Sequence, residues 1–181
     1  MILTERLELV PATPPLVHAA LASTSTLATA LNASVPPTWP PEYLDPASLE
    51  FTLARLAAGP DQAGWLLPFR LLPAGEDGRA LIGSAGYCGP PTPDGIVEVG
   101  YGIVRDRRRL GYASEAVRGL VAHAFADASV RCVIAHTLPD LTPSIGVLLK
   151  CGFRLLDERP APDILRFAFI RDASGSAPGV V

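Results

Sequence analysis

The sequence predicts a mixed α/β (α+β) fold on three observations. Residues 96–104 alternate apolar with small or polar side chains at a period of two, which indicates a strand with one apolar face. From Ser114 onward the apolar residues recur at the spacing of one face of an α-helix. Two turn segments, residues 74–78 and 90–95, join this strand to two earlier strand-like runs. We therefore predict an antiparallel three-strand meander followed by a helix.

Length and composition favour one domain. The chain has 181 residues, enough to bury a sizeable core but few for two full domains. We expect residues 1–171 to form this domain, as a monomer or a homodimer. Residues 172–181 are small and polar, and we expect them to form a disordered tail.

Charge and cysteine usage narrow the function classes. The net charge of −3 gives no general attraction to nucleic acid or to an anionic membrane, so we expect neither as a partner. Residues 1–10 lack the layout of a signal peptide, and we expect a cytoplasmic location. The three cysteines are odd in number and widely spaced, which favours a reducing compartment over a disulfide framework or a zinc site. We interpret Cys88, Cys132 and Cys151 as small apolar core residues.

The first third of the chain predicts a strand, a broken helix and a second helix. Residues 6–10 alternate like a strand. Residues 14–31 carry a helical pattern that weakens at residues 23–26, where four hydroxyl residues predict a break. Asp45 is expected to cap the next helix, with Pro46 at its first position.

The segment 34–46 contains five prolines and cannot form a regular helix. It therefore predicts a stiff loop. Its aromatic residues, Trp39 and Tyr43, leave two alternatives open: the lip of a substrate site, or a lid over the core.

The remaining elements complete a sheet. Residues 131–137 lie beyond a helix, so this strand is expected to be a parallel or splayed neighbour of strand 96–104. The other predicted elements are the hairpin strands 65–72 and 80–88, a short helix at 144–150, and a last antiparallel pair at 153–157 and 164–170.

The loop between strand 96–104 and the central helix is strongly basic. Arginine occupies four of the five positions from 105 to 109, in a chain with 15 basic and 18 acidic residues. The loop leads into a helix N-terminus, where unpaired N–H groups and the helix dipole favour an anion. Gly111 and Ala113 allow close approach to the backbone. A phosphate-bearing ligand is one interpretation, and a solvated arginine-rich turn is the other.

Three motifs carry a resemblance to a known family. Residues 108–113 (RRLGYA) fit the pattern Gln/Arg-x-x-Gly-x-Gly/Ala, residues 143–153 (PSIGVLLKCGF) resemble a SIRVLEKLGF segment, and residues 4–9 (TERLEL) resemble a TERL opening. In this order they resemble the GCN5-related N-acetyltransferase (GNAT) superfamily, in particular its ribosomal-protein N-terminal acetyltransferase branch.

The resemblance implies a mixed, mostly antiparallel sheet of six to seven strands, splayed between its fourth and fifth strands and flanked by about four helices. It implies acetyl-CoA as cofactor, with a pantetheine arm pairing with the main chain of Ile103 and Val104. Gly100 and Gly102 fit a bulge, a close approach to the strand, or simple twist. The pyrophosphate would be held by Arg108, Arg109, Leu110, Gly111, Tyr112, Ala113 and Ser114.

Acetyl transfer to an amine requires that the amine lose its proton. Alternation places Glu98 on the face opposite Val97 and Val99, and the family often carries a glutamate here, so we predict Glu98 as the base. An ordinary exposed strand carboxylate is the alternative. His136 is a second candidate base.

The departing thiolate must gain a proton. The tyrosine that many family members use falls here on Leu148, which leaves Ser144 as the predicted acid; a serine that caps or opens a helix is the alternative. Tyr87 and Tyr101 are interpreted as core aromatics. Leu141 stands where the family usually has an asparagine.

We therefore predict an enzyme that transfers the acetyl group of acetyl-CoA directly to a primary amine, either a protein N-terminus or a small molecule. A non-catalytic acyl-CoA-binding or sensing module of the same fold is the alternative. The three histidines of the chain are too scattered to suggest a metal site, and we expect none.

Overall fold

The computed structural model describes residues 1–42, 44–59, 65 and 78–171, and the backbone of residues 69–75. Five α-helices lie in this part of the chain: α1 (Pro14–Ala22), α2 (Thr24–Leu31), α3 (Pro46–Ala58), α4 (Tyr112–Ala126) and α5 (Thr142–Lys150). The strands are β1 (Ile2–Leu3), β2 (Glu8–Val10), β3 (Phe69–Gly75), β4 (Gly78–Tyr87), β5 (Ile96–Ile103), β6 (Cys132–Thr137), β7 (Arg154–Leu155) and β8 (Leu165–Ile170).

The strands form one sheet in the order β1-β2-β3-β4-β5-β6-β8-β7. Every neighbouring pair is antiparallel except β5 and β6, which are parallel. The predicted mixed, mostly antiparallel fold is therefore confirmed. The sheet has one strand more than expected, because Ile2 and Leu3 pair with β2 as a short edge strand. The predicted splay, between the fourth and fifth strands of the expected sheet, accordingly lies between β5 and β6.

The described helices also outnumber the prediction by one. The break expected near residues 23–26 divides the first helical segment into α1 and α2. Ser23 causes it, since its backbone is extended and its hydroxyl accepts a hydrogen bond from the Thr26 N–H. Asp45 caps α3 by accepting from the Ser48 N–H, as predicted.

Helices cover both faces of the sheet, which explains why neighbouring residues of β4 are both buried. Ile82 packs in the main core with the apolar stripe of α4, including Val117 and Leu120. Leu81 faces the opposite side and packs against Leu27 of α2. The sheet is thus the middle layer between α1–α3 and α4–α5.

The proline-rich loop covers core with Trp39 and borders a cavity with Glu42. Trp39 packs against the cluster around Leu27 and Leu81, so this aromatic covers core. Farther along, Glu42 lies at the wall of a cavity beside β5. Tyr43, the other predicted aromatic, lies outside the described residues.

Two local predictions need correction. The strand expected from residue 65 begins at Phe69 instead; Trp65 packs its ring against the edge of the Tyr87 ring, with centroids 5.0 Å apart. Cys88 is exposed, and Cys132 is only partly buried, so Cys151 alone is a core residue. Cys88 directly follows β4, where the strand leaves the core.

Candidate functional site

The sheet opens between β5 and β6. The two strands pair only from Ile96–Glu98 to Cys132–Ile134. Beyond that point, in the part of the chain that the structure describes, residues 100–103 pair with β4, residues 135–137 pair with β8, and the ladder between β5 and β6 does not continue. A cavity of about 820 Å³ lies at this opening. Its walls include Glu42, Phe51, Gly100, Tyr101, His136 and Ser144.

The basic loop forms one rim of the opening and leads into α4. Arg109 has a left-handed backbone with φ of 63°, and Gly111 follows with φ of 84°. Gly111 is the N-cap of α4, and no side chain caps that end of the helix. The first backbone bond of the helix runs from the Glu115 N–H to the Gly111 carbonyl, at 3.0 Å. The N–H groups of the first turn of α4 therefore point out of the N-terminal end of the helix, where an anion could bind them.

The N-terminal TERL segment holds this rim in place. Glu115 accepts hydrogen bonds from the Thr4 hydroxyl at 2.6 Å and from the Arg6 amide and Nε, both at 2.7 Å. Arg6 also donates to the Leu110 carbonyl at 3.1 Å and lies over the Tyr112 ring at 4.7 Å. Burial raises the pKa of Glu115, but these hydrogen bonds and the Arg6 charge hold that pKa below its ordinary value. We call these contacts the Thr4–Arg6–Glu115 clamp. They show what the TERL segment does physically: it fixes the end of the basic loop and the first turn of α4.

Arg108 crosses from the rim to the proline-rich loop. Its Nε donates to the Ile103 carbonyl at 3.1 Å, and its Nη2 lies 3.0 Å from Glu42 Oε2. The Val104 N–H donates to the Ile82 carbonyl at 3.0 Å. A pantetheine arm that paired with residues 103 and 104 would therefore use other main-chain groups or displace Arg108.

The other predicted cofactor residues differ in exposure. Arg109 and Leu110 are exposed, and Tyr112 and Ala113 are partly buried. Ser114 is 5% exposed, and its carbonyl accepts from the Cys151 thiol. The backbone of this segment, rather than the Ser114 side chain, is thus open to a ligand.

Glu98 is the end of a chain of side chains that crosses β6 and β8. Its Oε1 lies 2.8 Å from His136 Nδ1, and Arg166 Nε donates to His136 Nε2 at 3.0 Å. Because a guanidinium can only donate, Nε2 is the acceptor and the ring proton sits on Nδ1, facing Glu98. Both ring nitrogens of His136 are therefore engaged, and the Glu98 side chain, 34% exposed, keeps access to solvent.

The two glycines of β5 have different surroundings on the same face as Glu98. A Cβ at Gly102 would lie 3.1 Å from Pro41 Cβ, so the proline-rich loop passes close to this strand. A Cβ at Gly100 would meet no atom within 4 Å. The pairing of β5 with β4 is regular, so close approach and open space explain these glycines, and a bulge does not.

Ser144 lies in the first turn of α5 and faces β5. Its Oγ is 3.1 Å from the Tyr101 hydroxyl, and its carbonyl oxygen is also 3.1 Å from that hydroxyl. Leu141 is the N-cap of α5, so Ser144 does not cap the helix. Leu148 is fully buried in the main core. Tyr101, interpreted from the sequence as a core aromatic, is partly buried and packs against the main core. Its odd separation from Glu98 along the strand places its side chain on the opposite face of the sheet, where it meets α5.

Thr137 is a further polar residue at the wall of the cavity. It is 7% exposed, and its Oγ1 has no hydrogen-bond partner among the described residues. Over the same part of the chain, no group of three or more His, Cys, Asp or Glu side chains could hold a metal ion. None of the helices described there has the length and apolarity needed to cross a membrane.

Comparison with known proteins places this geometry in a family. Residues 6–154 match the model of the acetyltransferase (GNAT) domain. The uncharacterized N-acetyltransferase YjdG of Bacillus subtilis (strain 168) is 31% identical over 80 residues, which cover 44% of this chain and 48% of that protein. The chain thus aligns with about half the length of this curated relative.

Solved structures share the fold. An acetyltransferase from Agrobacterium tumefaciens C58 superposes with a TM-score of 0.60 at 23% identity, covering 93% of this chain and 92% of that one. RimJ of Mycobacterium smegmatis, solved with a CoA-disulfide, gives 0.59 at 23% identity, covering 93% of this chain and 86% of that one. The match to the family model extends from the clamp at Arg6 to the start of β7, and the chain belongs to the acetyltransferase (GNAT) family.

Proposed function

We propose that this protein transfers the acetyl group of acetyl-CoA directly to a primary amine. The observation that carries the proposal is the opening of the sheet between β5 and β6: a cavity lies at the opening, and the basic loop directly follows the open end of β5 and contacts it through Arg108. An elongated ligand with an anionic head fits this arrangement, because its phosphates would meet the rim while its reactive end reached the cavity.

Three features of the chain fit acetyl-CoA. The N-terminal end of α4 has no side-chain cap among the described residues, so its N–H groups could donate hydrogen bonds to a pyrophosphate. Arg109 would add charge-assisted hydrogen bonds to the phosphates, and Arg108 would do the same by exchanging its contact with Glu42 for a phosphate oxygen. The buried, unpartnered hydroxyl of Thr137 would gain a partner from a ligand amide or carbonyl, which would remove the cost of leaving it unsatisfied. When bound, acetyl-CoA supplies a thioester that an amine can attack.

Glu98 is the base in this proposal. An α-amine has a pKa near 8 and a lysine amine a pKa near 10.4, so either is mostly protonated at neutral pH. The Nδ1–H of His136 fixes one carboxylate oxygen of Glu98, and the other oxygen is left to receive the amine proton, directly or through water. The open space at Gly100 lies on the same face and would admit the amine.

The acceptor wall, the side of the cavity around Glu42, Asp45 and Phe51, combines two carboxylates with apolar side chains; the Glu42 carboxylate is also paired with Arg108. Glu42 and Asp45 lie at the cavity, and hydrogen bonds from the Ser48 hydroxyl and amide hold the pKa of Asp45 below its ordinary value. Phe51 lies at the same wall and is 51% exposed. This wall suits a cationic amine that carries an apolar group, either a protein N-terminus or a small molecule.

A second candidate is an acyl-CoA-binding or sensing module, favoured by one observation. Leu148, at the position of the family's tyrosine, is fully buried, so no acid can act from there. Incubation of the protein with acetyl-CoA and a panel of amines, with detection of free thiol, separates the two functions. We expect amine-dependent thiol release; binding of acetyl-CoA with no thiol release from any amine would favour the sensor.

A further inference from the structure

We propose that the Tyr101 hydroxyl is the acid that protonates the departing thiolate, and that Ser144 positions it. This inference rests on the proposed acetyl transfer and names the residue that completes it. The sequence predicted Ser144 for this step and interpreted Tyr101 as a core aromatic. The structure supports a different division of roles, because the two hydroxyl groups lie 3.1 Å apart at the cavity.

The positions of Glu98 and Tyr101 on β5 separate the base from the acid. Glu98 and Tyr101 are three residues apart in β5, so their side chains project from opposite faces of the sheet. Glu98 lies with His136 on one face, and Tyr101 reaches α5 on the other. A thioester between the splayed strands would therefore meet the base on one side and the Tyr101 hydroxyl on the other.

The hydroxyl groups of Tyr101 and Ser144 differ in acidity. A phenol, with an ordinary pKa near 10, is a far stronger acid than the aliphatic hydroxyl of serine. Ser144 can donate its Oγ–H to the phenolate oxygen that remains after Tyr101 has given up its proton. In the structure the Tyr101 hydroxyl also donates to the Ser144 carbonyl at 3.1 Å, so its O–H would turn from that acceptor to the sulfur when it gives up its proton. The Ser144 hydroxyl is the group that stabilises the conjugate base of Tyr101.

The transfer forms one C–N bond and breaks one C–S bond. The amine nitrogen forms a bond to the acetyl carbon, and the C–S bond breaks with its electron pair remaining on sulfur. The Tyr101 O–H proton passes to that sulfur, giving the free thiol. The amine proton leaves through Glu98 to solvent, and the phenolate regains a proton from solvent. No oxidant, reductant or metal enters the step.

The test begins with wild-type protein and the best amine of the panel. Tyr101→Phe should lower kcat by about 10²-fold while the Kd for acetyl-CoA changes by less than about twofold. Ser144→Ala should lower kcat by a smaller factor. Tyr87→Phe is the matched control, because its hydroxyl donates to the Leu120 carbonyl at 2.5 Å, away from this pair, and its kcat should stay within about twofold of wild type.

A second variant keeps the shape of the side chain. Replacement of Tyr101 by 3-fluorotyrosine lowers the pKa of the phenol, so the alkaline limb of the kcat profile should move to lower pH. A purely structural hydroxyl would leave that limb in place. An unchanged limb, or full activity in Tyr101→Phe, would overturn the role of Tyr101 while leaving acetyl transfer intact. Wild-type protein that acetylates no amine would overturn both.

Discussion

The rim that would hold the cofactor and the wall that would hold the acceptor are built in different ways. The rim is one continuous stretch of chain, from Ile103 to Glu115. Thr4 and Arg6 are the exceptions, and through the Thr4–Arg6–Glu115 clamp they hold the rim in place. The acceptor wall gathers residues that are far apart in the sequence, such as Glu42, Phe51 and His136. A ligand common to a family can thus be bound by residues of one local motif, whereas the acceptor site depends on how distant segments of the chain pack together.

The largest expected effect lies on the acceptor side. Glu98→Gln should reduce kcat by about 10²-fold or more near neutral pH, because the amine must then lose its proton without a base. The defect should shrink at high pH, where more of the amine is already neutral. Rate profiles across pH with the same amine check this.

Glu50→Gln is the control for that experiment, since Glu50 is exposed on α3, whereas Glu98 contacts His136 of the cavity wall. It should retain wild-type turnover at every pH. A loss well under tenfold in Glu98→Gln would assign Glu98 a positioning role or none, and would leave an ordered water as the candidate base.

The next effect lies on the cofactor side. Replacing Arg108 and Arg109 together by alanine should weaken acetyl-CoA binding by about 3 kcal/mol, on the order of a hundredfold in Kd, because charge-assisted hydrogen bonds to the phosphates are lost. Calorimetric titration measures it. Arg154→Ala, which removes an exposed arginine on β7, is the matched control and should leave the affinity unchanged. An unchanged Kd in the double variant would show that the phosphates bind elsewhere.

The clamp gives a smaller effect that depends on pH. The pKa of Glu115 is lowered in the folded protein, so the carboxylate contributes stability above its ordinary pKa of about 4.3, and this is lost as the pH falls through the folded value. Glu115→Gln should lower the free energy of unfolding by about 2 kcal/mol at pH 7, a figure that allows for solvent screening at the exposed Arg6.

Urea unfolding of both proteins at pH 7 and pH 4 measures the difference. It should be smaller at pH 4, because the carboxyl group of the unfolded wild-type chain is already partly protonated there and less of the stabilisation remains. An equal difference at the two pH values would mean that the charge of Glu115 does not stabilise the rim.

The smallest expected effect is on the reactivity of the Cys88 thiol, whose pKa depends on the charge of Glu98. Desolvation and the charge of Glu98 raise the pKa of the Cys88 thiol to about 11, although the residue as a whole is exposed. Cys88 should therefore alkylate slowly at pH 8. Glu98→Gln should speed alkylation a few-fold, because it removes the smaller of these two causes, and peptide mass spectrometry of the Cys88 fragment measures the rate. An unchanged rate would show that the Glu98 charge does not act on Cys88.

The sequence could predict features formed by one continuous stretch of chain, and it could not predict contacts between distant segments. The break at Ser23, the cap at Asp45 and the strand–loop–helix around Gly111 are local devices, and each follows from the residues that form it. The Tyr101–Ser144 pair and the His136–Arg166 contact join elements far apart in the chain, and no periodicity indicates which side chains will meet. Cys88 was misassigned for a related reason, since its residue type favours burial but the end of β4 lies open.

One measurement tests the central claim most directly: the fate of the acetyl group from isotopically labelled acetyl-CoA in the presence of an accepted amine. Direct transfer predicts that the label enters an amide product at the rate at which free thiol forms, with no label retained on the protein at any time. Label on the protein would contradict direct transfer, and label released as acetate would show hydrolysis. An amine-independent signal, or none, would contradict the account as a whole.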